Sequence, residues 1–245
     1  NVSGREQLCS LLSNPNYSSV LRQIWAWEPL TRNELVQKSG LAIPTVSRIV
    51  GDFADAGLIR GAGKVGSPAG RKPTLVALAL DRFFLVGVDI GSDGVRGTLV
   101  DLKANPRSDA SAKVRPGDRA SVLDAILRTV DRLVDEAGVP KERVAGVGLA
   151  VPGSVDLERK RLISASNLRI ENWEIVADVS ERLKLPIYLE NDASAAALGE
   201  CYFGTGRAHD HLAYVSIDVG IGMGLIMGGR VFRGSLGLAG ELGHT

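Results

Sequence analysis

The sequence predicts an α/β body over residues 81–245, preceded by a small α+β winged helix-turn-helix domain over residues 1–80. Three observations predict it. Two short helical segments joined by a tight turn are followed by two strand-like segments flanking a basic, glycine-rich loop. From Phe83 onward, apolar strand patterns alternate with helical ones, which is how a mixed sheet covered by crossover helices reads. The charge divides at the same place: residues 1–80 carry nine Lys/Arg against five Asp/Glu, and the remainder twenty against twenty-three. A basic first third on a near-neutral body suggests a local site for an anionic partner.

After a short leader, residues 17–27 place Val20, Leu21, Ile24, Trp25 and Trp27 at mostly helical spacing and stop before Pro29. TRNELVQKSG follows as a helix with Thr31 as N-cap, Glu34 completing a capping box, Leu35 and Val36 inward and Gly40 as the stop. IPTVSRIVGDFADAG has Pro44 in its first turn, a buried stripe of Val46, Ile49, Val50 and Phe53, and Gly57 as terminator. LIR and TLVALAL then flank GAGKVGSPAGRKP, the wing. Thr45, Ser47 and Arg48 alternate with the buried positions and face outward where a recognition helix meets base edges; Arg48 has the fork geometry for guanine. With Thr31, Pro44 and the wing cations Lys64, Arg71 and Lys72, they are the candidate contacts to duplex DNA. The competing reading is a three-helix packing unit with incidental surface charge.

In the body, FFLVGVDI and GVRGTLVDL form a hairpin about Gly91 and Gly94, and residues 120–137 form a long amphipathic helix. VAGVGLAV is a buried strand, residues 175–183 a helix, PIYLEN a strand and residues 193–202 a helix; HLAYVSIDV and GIGMGLIMGG form a second hairpin. The 245 residues, 44% hydrophobic and 23% charged, suffice for two domains. The longest apolar runs, 75–80 and 144–151, are too short to span a bilayer, and the first residues do not read as a secretion signal, so a cytoplasmic protein is expected. Cys9 and Cys201 imply neither a disulfide framework nor a paired-cysteine metal site.

DIGSDGVRGTLVDL, LAVPGSVD, ENDASAAALGE, VSIDVGIGMGLIMGGRVFRGS and AGELGHT occur in the order and roughly the spacing found in the ROK family of bacterial repressors and sugar kinases. The chain resembles a ROK transcriptional regulator from about residue 17 to its end. The resemblance implies a ribonuclease-H-like, actin-type ATPase fold in which two lobes close over a sugar, with a C-terminal lobe that is incomplete at Thr245. It implies a symmetric oligomer, a homodimer or a dimer of dimers, reading palindromic operator DNA.

In ENDASAAALGE, Glu190, Asn191 and Asp192 lie at the carboxyl end of a strand just before a helix, a usual ligand site in α/β sheets. The resemblance implies that Asp192 matches the kinases' general base. A carboxylate beside an amide equally suits simple sugar binding, and Asp192 could also be only a helix N-cap. Glu241 and His244 match sugar contacts of the family, as do Gly153 and, in SASNL, Ser166 and Asn167. The residue matching His244 also binds zinc in the family, with a cysteine cluster that follows it. One histidine is not a tetrahedral site. No cofactor is therefore expected in this chain, and zinc only if such a cluster follows Thr245.

Family kinases carry Asp-x-Gly-Gly-Thr at the first hairpin, where this chain has Asp89-Ile90-Gly91-Ser92-Asp93. Where they carry Gly-Thr-Gly at the second, it has Asp218-Val219-Gly220. Backbone N–H groups at glycines and a nearby hydroxyl cradle phosphate. Asp93 and Asp218 would instead put negative charge there, costing about 4 kcal/mol per pair of unit charges ~4 Å apart at an effective dielectric of about 20. The expectation is therefore a non-enzymatic, sugar- or sugar-phosphate-responsive DNA-binding repressor of carbohydrate-metabolism genes. The alternatives are an ATP-dependent ROK sugar kinase with an appended winged helix, and a constitutive DNA-binding protein whose body serves only for dimerisation.

Overall fold

The computed structural model describes residues 4–64, 74–156, 158, 160–217, 220–234 and 239–240. The chain divides into two compact units: residues 1–85 with 100–107 and 138–145, and residues 86–99 with 108–137 and 146–245.

The first unit opens with α1 (Gly4–Leu12) and α2 (Pro15–Trp27). The expected leader is thus a helix, anchored by buried Leu8. β1 (Leu30–Thr31), α3 (Arg32–Ser39) and α4 (Ile43–Asp55) follow, then β2 (Ile59–Lys64) and β3 (Thr74–Leu78). α3 starts at the capping box: the Thr31 hydroxyl accepts from the Glu34 N–H at 3.2 Å, and the Glu34 carboxylate accepts from the Thr31 N–H at 2.7 Å. It stops at Gly40, whose φ of 69° is left-handed. Val20, Ile24, Leu35, Val46, Ile49 and Phe53 are buried in one core, and the three strands pair antiparallel in the order β1-β3-β2 beside it.

The same unit holds the turn at residues 100–107. Asp101 is buried there, accepting from the backbone N–H groups of Lys103 (2.8 Å) and Asn105 (3.1 Å), the Asn105 amide and Arg107 (3.2 Å). Burial alone would raise its pKa, but these donors together hold it below the usual carboxylate range. The Trp25 indole donates to the Leu102 carbonyl at 2.8 Å, and the Lys103 ammonium pairs with Glu28 at 3.2 Å.

The remaining elements are β4 (Phe84–Ile90), β5 (Gly94–Asp101), β6 (Pro106–Lys113), α5 (Arg119–Ala137), β7 (Val144–Val151), β8 (Ser154–Asp156), β9 (Arg161–Ala165), β10 (Ile170–Trp173), α6 (Ile175–Leu183), β11 (Ile187–Asn191), α7 (Asp192–Tyr202), β12 (His211–Ile217), β13 (Ile221–Met227) and β14 (Arg230–Val231). One sheet has the order β11-β7-β4-β5-β6. On β4, Phe84, Val86, Val88 and Ile90 are buried alternately, as period-two patterning requires. α5 buries Val122, Ile126, Val130 and Leu133; a side chain at Gly97 would come within 2.7 Å of Thr129 on it. β11 runs parallel to β7 with Asn191 opposite Val151, so the two strand ends lie side by side. β8, β9 and β10 form a small antiparallel sheet. β12, β13 and β14 form another, against which α7 packs closely: a side chain at Gly224 would meet the Ala193 carbonyl at 2.2 Å. Among the described residues, no helix is long and apolar enough to cross a membrane.

Candidate functional site

β11 ends and α7 begins within one peptide bond, and that junction builds the site. The N-cap of α7 is Asn191: its Oδ1 accepts from the Ser194 N–H at 3.0 Å. Asn191 Nδ2 donates to the Gly153 carbonyl at 3.1 Å and to Asp192 Oδ1 at 3.0 Å. Both amide protons are thereby used, so Asn191 pins the end of β7 to the start of α7. The Gly153 side of that link depends on glycine, since φ is +82° and a Cβ would fall 2.2 Å from the Ser164 carbonyl.

The cap lies one residue before Asp192, which leaves Asp192 as the first helical residue rather than the cap. Its Oδ1 accepts from the Asn191 amide and the Ala193 N–H (2.8 Å), while Oδ2 has no hydrogen-bond partner among the described residues. Half-burial raises the Asp192 pKa, the Ala193 N–H opposes this, and the charge of Asp89 on β4 adds to the rise. The Asp89 pKa is raised in turn, first by desolvation and also by Asp93, against the lowering effect of Arg96. Two carboxylates at the carboxyl ends of β4 and β11 thus share one field. Such an arrangement can accept hydrogen bonds from adjacent hydroxyls and take up a proton.

The sequence names Glu190 with Asn191 and Asp192 but gives it no partner, and it singles out none of Asp89, Arg96 and Arg233 as part of the site. Glu190 accepts from the Asn191 N–H at 3.1 Å and pairs with Arg233, in the coil after β14. Arg233 lies within a glycine-rich stretch already singled out, but its partner is 43 residues away. Asp89 was visible only as part of a hairpin. Arg96 sits 3.8 Å from Asp93, both largely exposed, so the carboxylate set against phosphate carries a nearby counter-charge.

Ser166 and Asn167 are exposed in one 3-10 turn after β9, next to the Ser164–Ala165 backbone that abuts Gly153. Ser166 lines an open cavity of about 340 Å³ with Arg119, Arg169 and Glu171. No hydrogen bond joins Ser166 or Asn167 to Asp192 among the described residues. Glu241 and His244 lie outside the described residues, as do Asp218 and Val219 of the second hairpin. Among the described residues no cluster of three or more His, Cys, Asp or Glu could hold a metal ion. Nothing described therefore fits zinc.

In the first unit, α4 leaves Pro44, Ser47 and Arg48 exposed and Thr45 half-buried. Thr31 is committed to its capping box, its hydroxyl 2.8 Å from Glu34 Oε2. The backbone N–H of Thr31 is the main reason the Glu34 pKa is lowered. Of Lys64 only the backbone, at the end of β2, is described; Arg71 and Lys72 lie outside the described residues.

A family model described as "ROK family" matches residues 85–245. A xylose repressor of Caldicellulosiruptor bescii is 30% identical over 237 residues, 96% of this chain and 59% of that protein. The chain thus spans about three-fifths of the length of the curated relatives it matches. Among solved structures, a ROK family transcriptional regulator, a homologue of the E. coli MLC protein, superposes with a TM-score of 0.78 at 24% identity, over 89% of this chain and 56% of its own. A ROK glucokinase from Streptomyces griseus, solved with glucose and AMPPNP, gives 0.61 at 33% identity over 66% of this chain and 50% of its own.

Proposed function

This chain belongs to the ROK family, with the actin-like fold of its repressors and kinases in the body, and from that premise we propose that it is a sugar-responsive DNA-binding transcriptional repressor. The observation that carries the reading is α4: a helix seated by Val46, Ile49, Val50 and Phe53 that turns Ser47 and Arg48 outward, immediately before the antiparallel β2–β3 pair. That order is a winged helix-turn-helix, with α3 and α4 as the helix pair and β2–β3 as the wing. Repressor relatives that match along nearly the whole chain support it. A sugar fits the body's site because the Asp192 and Asp89 carboxylates are acceptors that ligand hydroxyls can satisfy. Sugar would bind one conformation of the body better than another and so shift the population competent for operator DNA. The active form is read as a symmetric oligomer on a palindrome.

A mobility-shift assay with the DNA upstream of the protein's own gene tests this reading. A specific shift is expected, weakened about tenfold or more by Arg48→Ala through loss of one base contact; no shift with any such fragment would sink it.

A second reading, sugar kinase, is favoured by one observation. Asp192 has an Oδ2 without a hydrogen-bond partner among the described residues and a raised pKa, as a general base for a sugar hydroxyl would. Coupled ADP release across hexoses and pentoses decides it: turnover abolished by Asp192→Asn would establish a kinase.

A further inference from the structure

Ile43 is the first residue of α4 and is 63% exposed. The four buried apolar residues of that helix, Val46, Ile49, Val50 and Phe53, all belong to the core of the unit, and Ile43 does not. The other widely exposed apolar side chain nearby, Trp27, is covered on one ring face by the Lys38 ammonium at 4.3 Å. Ile43 has no such cover among the described residues. It stands in the same turn as Pro44 and one turn from Ser47, both exposed. Its β-branched side chain has restricted χ1 freedom, so little rotamer entropy is lost when its apolar surface is covered.

A stiff apolar group at the leading end of a helix that enters a major groove meets one feature of matching chemistry, the 5-methyl group of thymine. We propose that Ile43 is a specificity-determining residue that reads thymine through this methyl group, beside the polar contacts of Ser47 and Arg48. The inference rests on the DNA-binding reading above.

Its test uses the full chain. Duplexes are enriched from a random library by binding, and each thymine of the enriched site is then replaced by uracil, which removes the methyl group alone. At one position per half-site the wild-type protein should lose about three- to fivefold in affinity, the worth of one methyl group taken out of water. Ile43→Ala should bind both duplexes alike at that position. Wild-type affinity unchanged by uracil at every position would overturn the inference while leaving DNA binding intact. So would a uracil effect that persists in Ile43→Ala, which assigns the methyl to another side chain. Failure to enrich any duplex would overturn the DNA-binding reading, and this inference with it.

Discussion

The Asp192 pKa is raised, first by its half-burial and also by the charge of Asp89. A carboxylate whose folded pKa is raised contributes stability below its unfolded value of about 3.9, and loses it as pH rises through the folded value. Asp192→Asn should therefore stabilise the fold at pH 7 by about 1 kcal/mol, with the difference fading below pH ~4. Denaturant titrations at both pH values check this. Asp101 has the opposite sign. Its lowered pKa gives stability that is present above about pH 4 and lost as pH falls through the folded value. Asp101→Ala, which strands buried donors, should cost about 3 kcal/mol in urea denaturation at pH 7. Asp192 was legible in the sequence because ENDA follows a strand and opens a helix. Which residue caps that helix was not, because Asn and Asp cap equally well and the end of β11 decides between them. Asp101 was not legible at all: VDLKANPRSD reads as an ordinary turn until burial singles out one carboxylate.

Among elements, those with their own local signals were readable. The Thr31–Glu34 box, Gly40 and the apolar stripe of α4 specify the helix pair without long-range information. The alternation in β4 and the apolar run of β7 did the same for the main sheet. β8, β9 and β10 were missed because they are three to five residues long and exist by pairing with one another rather than by pattern. They nevertheless set the site, since β9 supplies the Ser164–Ala165 backbone that leaves room only for glycine at 153. Gly153→Ala should accordingly destabilise by about 3 kcal/mol, from the left-handed backbone and the clash with the Ser164 carbonyl together. Thermal unfolding measures the loss. Because Asn191 is tied to the Gly153 carbonyl, sugar affinity should fall in the same variant even at temperatures where it stays folded.

For the whole molecule, the two altered hairpins decide less between a sugar sensor and a kinase than their residues alone suggest. At the first, Arg96 lies 3.8 Å from Asp93 with both side chains largely exposed, and the altered residues of the second lie outside the described part. The central claim is instead a coupling: a sugar held near Asp192 changes affinity for DNA, and linkage requires the same factor in both directions. Fluorescence anisotropy of a labelled operator duplex, titrated with protein at zero and saturating sugar, measures that factor most directly. A roughly tenfold change in Kd for at least one sugar, with the same change in sugar affinity when operator is present, is the predicted result. A sugar that binds measurably yet leaves the duplex Kd unchanged would contradict it.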